Sequence, residues 1–169
     1  MGDAGDRDVI DVVARLGAAQ VDVRREAAAA LARLGEGAAP AAAALVRACG
    51  DEDGEVREQA VAALEDLGPP PADATGQLVD MATSEKPLVA YWAVTLLGRA
   101  GQGAAIAVPV LVRCLGSTTE MSVRQRSAWA LGQIGPAAVA ARDALGQAAG
   151  DTDPRLARLA AEALEAIGR

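Results

Sequence analysis

Five glycines, Gly35, Gly68, Gly101, Gly135 and Gly168, recur at intervals of 33, 33, 34 and 33 residues. Each closes a thirteen-residue phrase that can be laid on the others: VRREAAAALARLG (23–35), VREQAVAALEDLG (56–68), VAYWAVTLLGRAG (89–101), VRQRSAWALGQIG (123–135) and LARLAAEALEAIG (156–168). A period of that length marks stacked supersecondary units. Each is too small to bury its own apolar face and covers its neighbour's instead. Such stacks more often present binding surfaces than catalytic pockets.

Within a phrase the apolar residues keep helical spacing. In the second they are Val56, Ala60, Ala63, Leu64 and Leu67, one stripe of an amphipathic helix. The closing Gly stands where a C′ residue of positive φ is expected. Asp153-Pro154 reads as an N-cap followed by Pro at the first helical position, and Lys86-Pro87 as its counterpart. A second helix lies between phrases. Leu45, Leu78, Leu111 and Leu145 each stand ten residues after a repeat Gly, in segments of roughly 38–50, 72–83, 105–116 and 137–149. Residues 8–17 read as the same element without a preceding partner. Pairing each such helix with the phrase after it predicts five hairpins, 6–35, 36–68, 69–101, 102–135 and 136–168, in a single domain over 1–169. Pro69-Pro70-Pro71 reads as a stiff inter-helix turn. No strand periodicity is present.

Hydrophobic residues make up 51% of the chain and aromatics only 2%, with no Phe. The core must therefore be built from Ala, Leu and Val, with close helix approach and many modest contacts. Fifteen of the sixteen basic residues are Arg, the other being Lys86. With the Ala and Gly load, this suggests a GC-rich bacterial genome, such as an actinobacterium. No run reaches transmembrane length, no leader pattern opens the chain, and Asp6 spoils a myristoylation signal. The expectation is a cytoplasmic protein that does not meet a membrane. Cys49 and Cys114 lie in helical apolar patterns, as buried thiols acting as small hydrophobes.

The phrase VRxxAxxALxxLG after a short acidic turn such as Asp51-Glu52-Asp53 resembles the HEAT repeat. It looks most like the short bacterial type of phycocyanobilin lyase subunits. The resemblance covers nearly the whole chain. It implies an all-α fold, a right-handed α-solenoid of five stacked hairpins, with the VRxx helices lining the concave side. It also implies a turn Asp bonded to the Arg of VR. By position, Arg24, Arg57 and Arg124 match that Arg. Asp51 matches the turn Asp in the second repeat and Asp151 in the fifth, where the Arg is instead Arg155. The third repeat departs, with Ala90 for Arg and Ser84-Glu85-Lys86 for the acidic turn. The fourth keeps Arg124 after Ser117-Thr118-Thr119-Glu120.

Little in the chain suits catalysis. There is no His, which removes the commonest general base and metal ligand. Two distant Cys give no zinc pattern, and no G-x-S-x-G occurs. Gly98–Gly103 follows a helix, so it reads as a C-cap and turn rather than a phosphate loop. Asp51–Glu55 has the wrong ligand spacing for calcium and reads as an N-capping turn. No metal and no cofactor are expected.

The aromatic residues are Tyr91, Trp92 and Trp129, all in the phrases of the third and fourth repeats. Trp92, at position 4 of its phrase, is placed to pack between repeats. Positions 3, 7 and 11 share a face off the apolar stripe. In the third repeat they are Tyr91, Thr95 and Arg99, and in the fourth Gln125, Trp129 and Gln133. These six form the candidate partner-binding surface, with both rings flanking one groove. Exposed rings beside Arg and Gln suit protein-binding hot spots. Charge on the face alternates, from Arg25 and Arg33 to Glu58 and Asp66 to Arg99, with no continuous positive track. With a net charge of −7, this disfavours nucleic acid.

The sequence thus predicts a non-catalytic scaffold for a protein or peptide, monomeric or weakly dimeric. The alternative, by analogy with the bilin lyases, is a chromophore-handling enzyme subunit. Its acid–base groups would have to come from Asp66, Asp80, Glu85 or Glu120.

Overall fold

The computed structural model describes residues 3–117 and 120–168. Among them ten α-helices occur and no strand: α1 (Asp3–Leu16), α2 (Val21–Leu34), α3 (Ala42–Ala48), α4 (Gly54–Asp66), α5 (Thr75–Met81), α6 (Pro87–Arg99), α7 (Val108–Ser117), α8 (Met121–Ile134), α9 (Arg142–Ala148) and α10 (Pro154–Ile167). Each even-numbered helix carries a repeated phrase. None is long and apolar enough to cross a membrane. Thr118 and Thr119, in the turn that opens the fourth phrase, lie outside the described residues.

The helices fall into two compact units, and the chain divides between Ala74 and Thr75, just after the Pro69–Pro71 turn. In the first, α2 packs on α4, with α1 against α2 and α3 against α4. In the second, α6, α8 and α10 form one continuous layer, and α7 and α9 pack behind α8 and α10. The first unit therefore holds two whole helical hairpins and the second three. The stripe Val56, Ala60, Ala63, Leu64 and Leu67 is buried, as are Leu45, Leu78, Leu111 and Leu145.

The odd-numbered helices begin later than their apolar pattern suggests. Gly35–Ala41, Ala72–Ala74, Gly101–Ala107 and Gly135–Ala141 are 3-10 turns that feed α3, α5, α7 and α9. Gly35–Ala41, Gly101–Ala107 and Gly135–Ala141 begin without a side-chain cap, and the chain closes these first turns with i→i+3 bonds. Gly35, Gly101 and Gly135 adopt positive φ, as expected. Gly68 does not, because it precedes Pro69, which disfavours α-type backbone at the residue before it. Gly168, with φ −83°, ends α10 in a right-handed turn.

The acidic turns join consecutive repeats. Arg24 Nε and Nη2 donate to Asp51 Oδ2 and Oδ1 at 2.8 and 2.9 Å. Arg25 grips Asp53 in the same bidentate way, at 3.0 and 2.6 Å. In the second unit Arg124 Nη2 donates to Asp151 at 2.7 Å and Gln125 Nε2 to Asp153 at 2.9 Å. The Arg of one repeat thus meets the Asp of the next. Asp151 is accordingly engaged by Arg124, not by Arg155 of its own repeat. Arg57 donates to the main-chain oxygens of Asp51 and Glu52, at 2.8 and 2.9 Å. Asp53 and Asp153 also cap α4 and α10 by accepting from Val56 and Leu156 N–H.

The clasps hold carboxylates below their ordinary range. Arg24 does so for Asp51, and Arg25 followed by the Val56 amide for Asp53. For Asp151 the Asp153 amide leads and Arg124 adds to it. A depressed folded-state value means the ionised form favours folding. That contribution is present above the unfolded value and is lost as pH falls through the folded one. Thermal melts should therefore be flat from neutrality to about pH 5 and decline below about pH 4. Asp51→Ala and Asp151→Ala should melt several degrees lower at neutral pH and show a shallower acid decline. Melting curves that stay parallel to wild type across that range would remove the clasps as the titrating elements.

Candidate functional site

The layer α6, α8 and α10 carries a groove of about 330 Å³ within the second unit. Tyr91 enters it from α6. Ser122, Gln125, Arg126 and Trp129 enter from α8, and Arg155, Arg158 and Leu159 from α10. Three of the six sequence-predicted residues, Tyr91, Gln125 and Trp129, therefore share one groove. The other three lie elsewhere.

Thr95 is fully buried, although helical spacing puts it on the open face. The reason is that α8 leans side chains back over α6. Arg126 Nε donates to Thr95 Oγ1 at 2.9 Å, and Thr95 Oγ1 donates to the Tyr91 carbonyl at 2.8 Å. The hydroxyl serves as donor and acceptor and leaves no buried polar atom unmatched. Arg99 is half-buried, with its guanidinium carbon 5.7 Å from the Trp92 ring centroid. Gln133 is exposed and lines a smaller depression with Trp129 and Glu162. Trp92 is buried, as its position between repeats requires, and meets Tyr91 edge to face at 5.7 Å.

The centre of the groove is Arg126, which the face positions 3, 7 and 11 omit. Its guanidinium carbon lies 4.4 Å from the Trp129 ring centroid and 5.3 Å from that of Tyr91. Both distances are within cation–π range. The third repeat lacks the Arg of VR, and the joint between α6 and α8 uses this stacked arginine instead. One sequence signal pointed to it. Arg126 and Trp129 are i, i+3 neighbours, which meet on a helix surface.

Gly98 completes the arrangement. A Cβ there would overlap the Trp129 ring and lie 3.0 Å from Ala130 Cα. Gly132, the same position one repeat on, faces Ala163, whose Cα would lie 3.2 Å from an added Cβ. These two glycines set how closely α6, α8 and α10 approach.

The groove is locally basic, where the face positions alone suggest alternation. Arg126 is at position 4 and Arg155 precedes its phrase, so neither was counted on that face. No carboxylate is among the lining residues. No cluster of potential metal ligands occurs among the described residues. The two thiols are not near the groove. Cys49 and Cys114 are buried, and Cys114 Sγ donates to the Ala82 carbonyl at 3.2 Å. Burial pushes the Cys49 thiol up to about 12 and raises that of Cys114. Both thiols should resist a thiol-specific chromogenic reagent in the native protein and react promptly in denaturant. Fast native labelling would contradict their burial.

The HEAT repeats family model matches residues 9–84 and 75–165. An engineered protein of known structure is 28% identical over 95% of this chain and 79% of its own, with a TM-score of 0.65. A designed armadillo repeat protein in complex with the peptide (KR)4 is 20% identical over 95% of this chain and 84% of its own, with a TM-score of 0.69. The complex of CpcE and CpcF of phycocyanin lyase from Nostoc sp. PCC7120 is similar at 22% identity. There the match covers 94% of this chain and 64% of that one, with a TM-score of 0.67. No curated protein matches the chain.

Proposed function

Because this chain belongs to the HEAT-repeat family, we propose that it is a non-catalytic scaffold that binds a protein or peptide in the groove across α6, α8 and α10. The groove's lining carries the reading. Two aromatic rings, an aliphatic side chain and three arginines stand on rigid helices that a buried layer holds in place. Aromatic residues and Arg are the types that dominate binding energy at protein interfaces. The volume of about 330 Å³ is at the lower end of the range for ligand pockets, about 300–1,000 Å³. It suits a few side chains of a partner segment. That a similar designed armadillo repeat protein is found in complex with the peptide (KR)4 lends support.

The chromophore-handling alternative requires a carboxylate at the reacting position. Asp66, Asp80, Glu85 and Glu120 are all absent from the groove's lining, which favours binding over catalysis there.

Panning a random peptide library against the wild-type chain and against Tyr91→Ala tests the proposal. Tyr91 is half-buried at the groove's edge, so the variant should keep its helical circular dichroism. Wild type should enrich peptides whose affinity falls about tenfold or more on Tyr91→Ala, as for a hot-spot residue. Peptides bound equally by both proteins, or no enrichment, would move the function away from this groove.

A further inference from the structure

We infer that the groove's occupant is an acidic peptide segment, whose carboxylates are received by Arg126, Arg155 and Arg158. This rests on the binding function proposed above and adds the charge of the partner to it.

The lining is opposite in sign to the chain. A protein of net charge −7 places three arginines and no carboxylate along one groove. A cleft lined by one sign of charge concentrates its field and draws in ligands of the other sign. Arginine is also the side chain whose planar fork matches a carboxylate with two parallel hydrogen bonds.

The donors of these arginines are largely unused. The Arg155 side chain makes no hydrogen bond or ion pair among the described residues. Arg158 meets Glu162 at 2.6 Å, but both side chains are more than half exposed, so water competes for the pair and a ligand can replace it. The Nε of Arg126 is committed to Thr95, which orients the side chain and leaves its terminal nitrogens. Gln125 gives its amide N–H to Asp153. Its carbonyl oxygen is left to accept a peptide N–H, and the Ser122 hydroxyl adds a second polar group. The groove therefore presents an excess of charged donors, a side-chain amide acceptor, and an apolar floor of Leu159 and ring edges.

A single-stranded nucleic acid fits less well. Base stacking needs a free aromatic face, whereas Arg126 covers Tyr91 and Trp129, and Trp129 also rests on Gly98. Three arginines on two helices make a short track, and the acidic remainder of the chain repels a polyanion that extends beyond it.

Fluorescence anisotropy with labelled (Asp-Glu)4, (Ser-Gln)4 and (Lys-Arg)4 peptides and an oligothymidylate of equal length tests the inference. The acidic peptide should bind at least about tenfold tighter than the neutral one at low salt, with the difference shrinking as salt rises. Arg155→Glu/Arg158→Glu should lose about tenfold or more for the acidic peptide and gain affinity for the basic one. Both sites are exposed, so helicity should not change. Arg155→Lys/Arg158→Lys should fall between, because it keeps charge without the fork. Equal binding of acidic and neutral peptides, or no loss on charge reversal, overturns the inference. Oligothymidylate binding as tightly as the acidic peptide overturns it too, by assigning the groove to anions in general. If library peptides that depend on Tyr91 prove neutral or basic, the acidic partner is lost but the binding groove stands. If no peptide depends on Tyr91, both are lost.

Discussion

Replacing Gly98 by alanine is expected to destabilise the second unit by about 1–3 kcal/mol, the usual cost of forcing volume into a packed interface. Helix propensity alone points the other way, since Gly→Ala inside a helix favours folding by about 1 kcal/mol. Geometry decides the sign. The new methyl would overlap the Trp129 ring and sit 3.0 Å from Ala130 Cα, so both a side chain and a backbone must move. Gly146 in α9 supplies the control, because a Cβ there meets nothing within 4 Å. Gly146→Ala should be neutral or stabilising by up to about 1 kcal/mol. Chemical denaturation of the two variants separates packing from propensity. A Gly98→Ala protein as stable as Gly146→Ala would mean that α6 and α8 do not approach as described. Adding Trp129→Leu to Gly98→Ala should recover part of the loss if the ring is the obstacle, and none if Ala130 is.

The second large effect is expected at Arg126. Its side chain makes two cation–π contacts, each worth about 0.5–1 kcal/mol where solvent reaches them. It also makes one hydrogen bond, worth about 1 kcal/mol net. Arg126→Ala should therefore destabilise the second unit by about 2 kcal/mol and free the Trp129 ring, which intrinsic fluorescence should register. Thr95→Val separates the components. It removes the hydrogen-bond acceptor of Arg126 but leaves both ring contacts possible, so its loss should be about half as large. Arg126→Ala should also abolish peptide capture. A variant with wild-type stability and fluorescence would show that the stack contributes nothing.

The architecture was largely legible because periodicity is a property of the chain. The repeat glycines place every helix pair, and the stripes around Leu31 and Leu64 in the first unit and Leu97 and Leu131 in the second supply buried side chains of each core. The Asp153-Pro154 start is equally local, since an N-cap needs only its own turn. What the sequence concealed was relational. Thr95 has an open-face register, but it is buried, with Arg126 reaching across to it from the next repeat. Gln125 reads as a free polar residue until Asp153, from the following repeat, accepts from it. Arg155 and Arg158 line the groove only because α10 packs beside α8. Gly98 reads as the start of a C-cap and turn but lies inside α6, and its role, like that of Gly132, emerges only when the facing backbone is placed against it. Residue type and spacing describe one helix well and say little about which neighbour leans over it.

The clasps carry a consequence for how such a chain grows. Their two halves sit on opposite edges of the repeat: the arginine reaches forward, and the acidic turn receives from behind. Arg24 with Asp51 and Arg124 with Asp151 show the same handshake at separations of 27 residues. An interface of this kind is head-to-tail, and nothing in it closes on itself. A cassette that carries both halves, as the second repeat does with Asp51 and Arg57, would match its own duplicate without any new complementarity being evolved. Copy number is therefore cheap to change by recombination, and the limit on length comes from whatever terminates the exposed edge of the last copy.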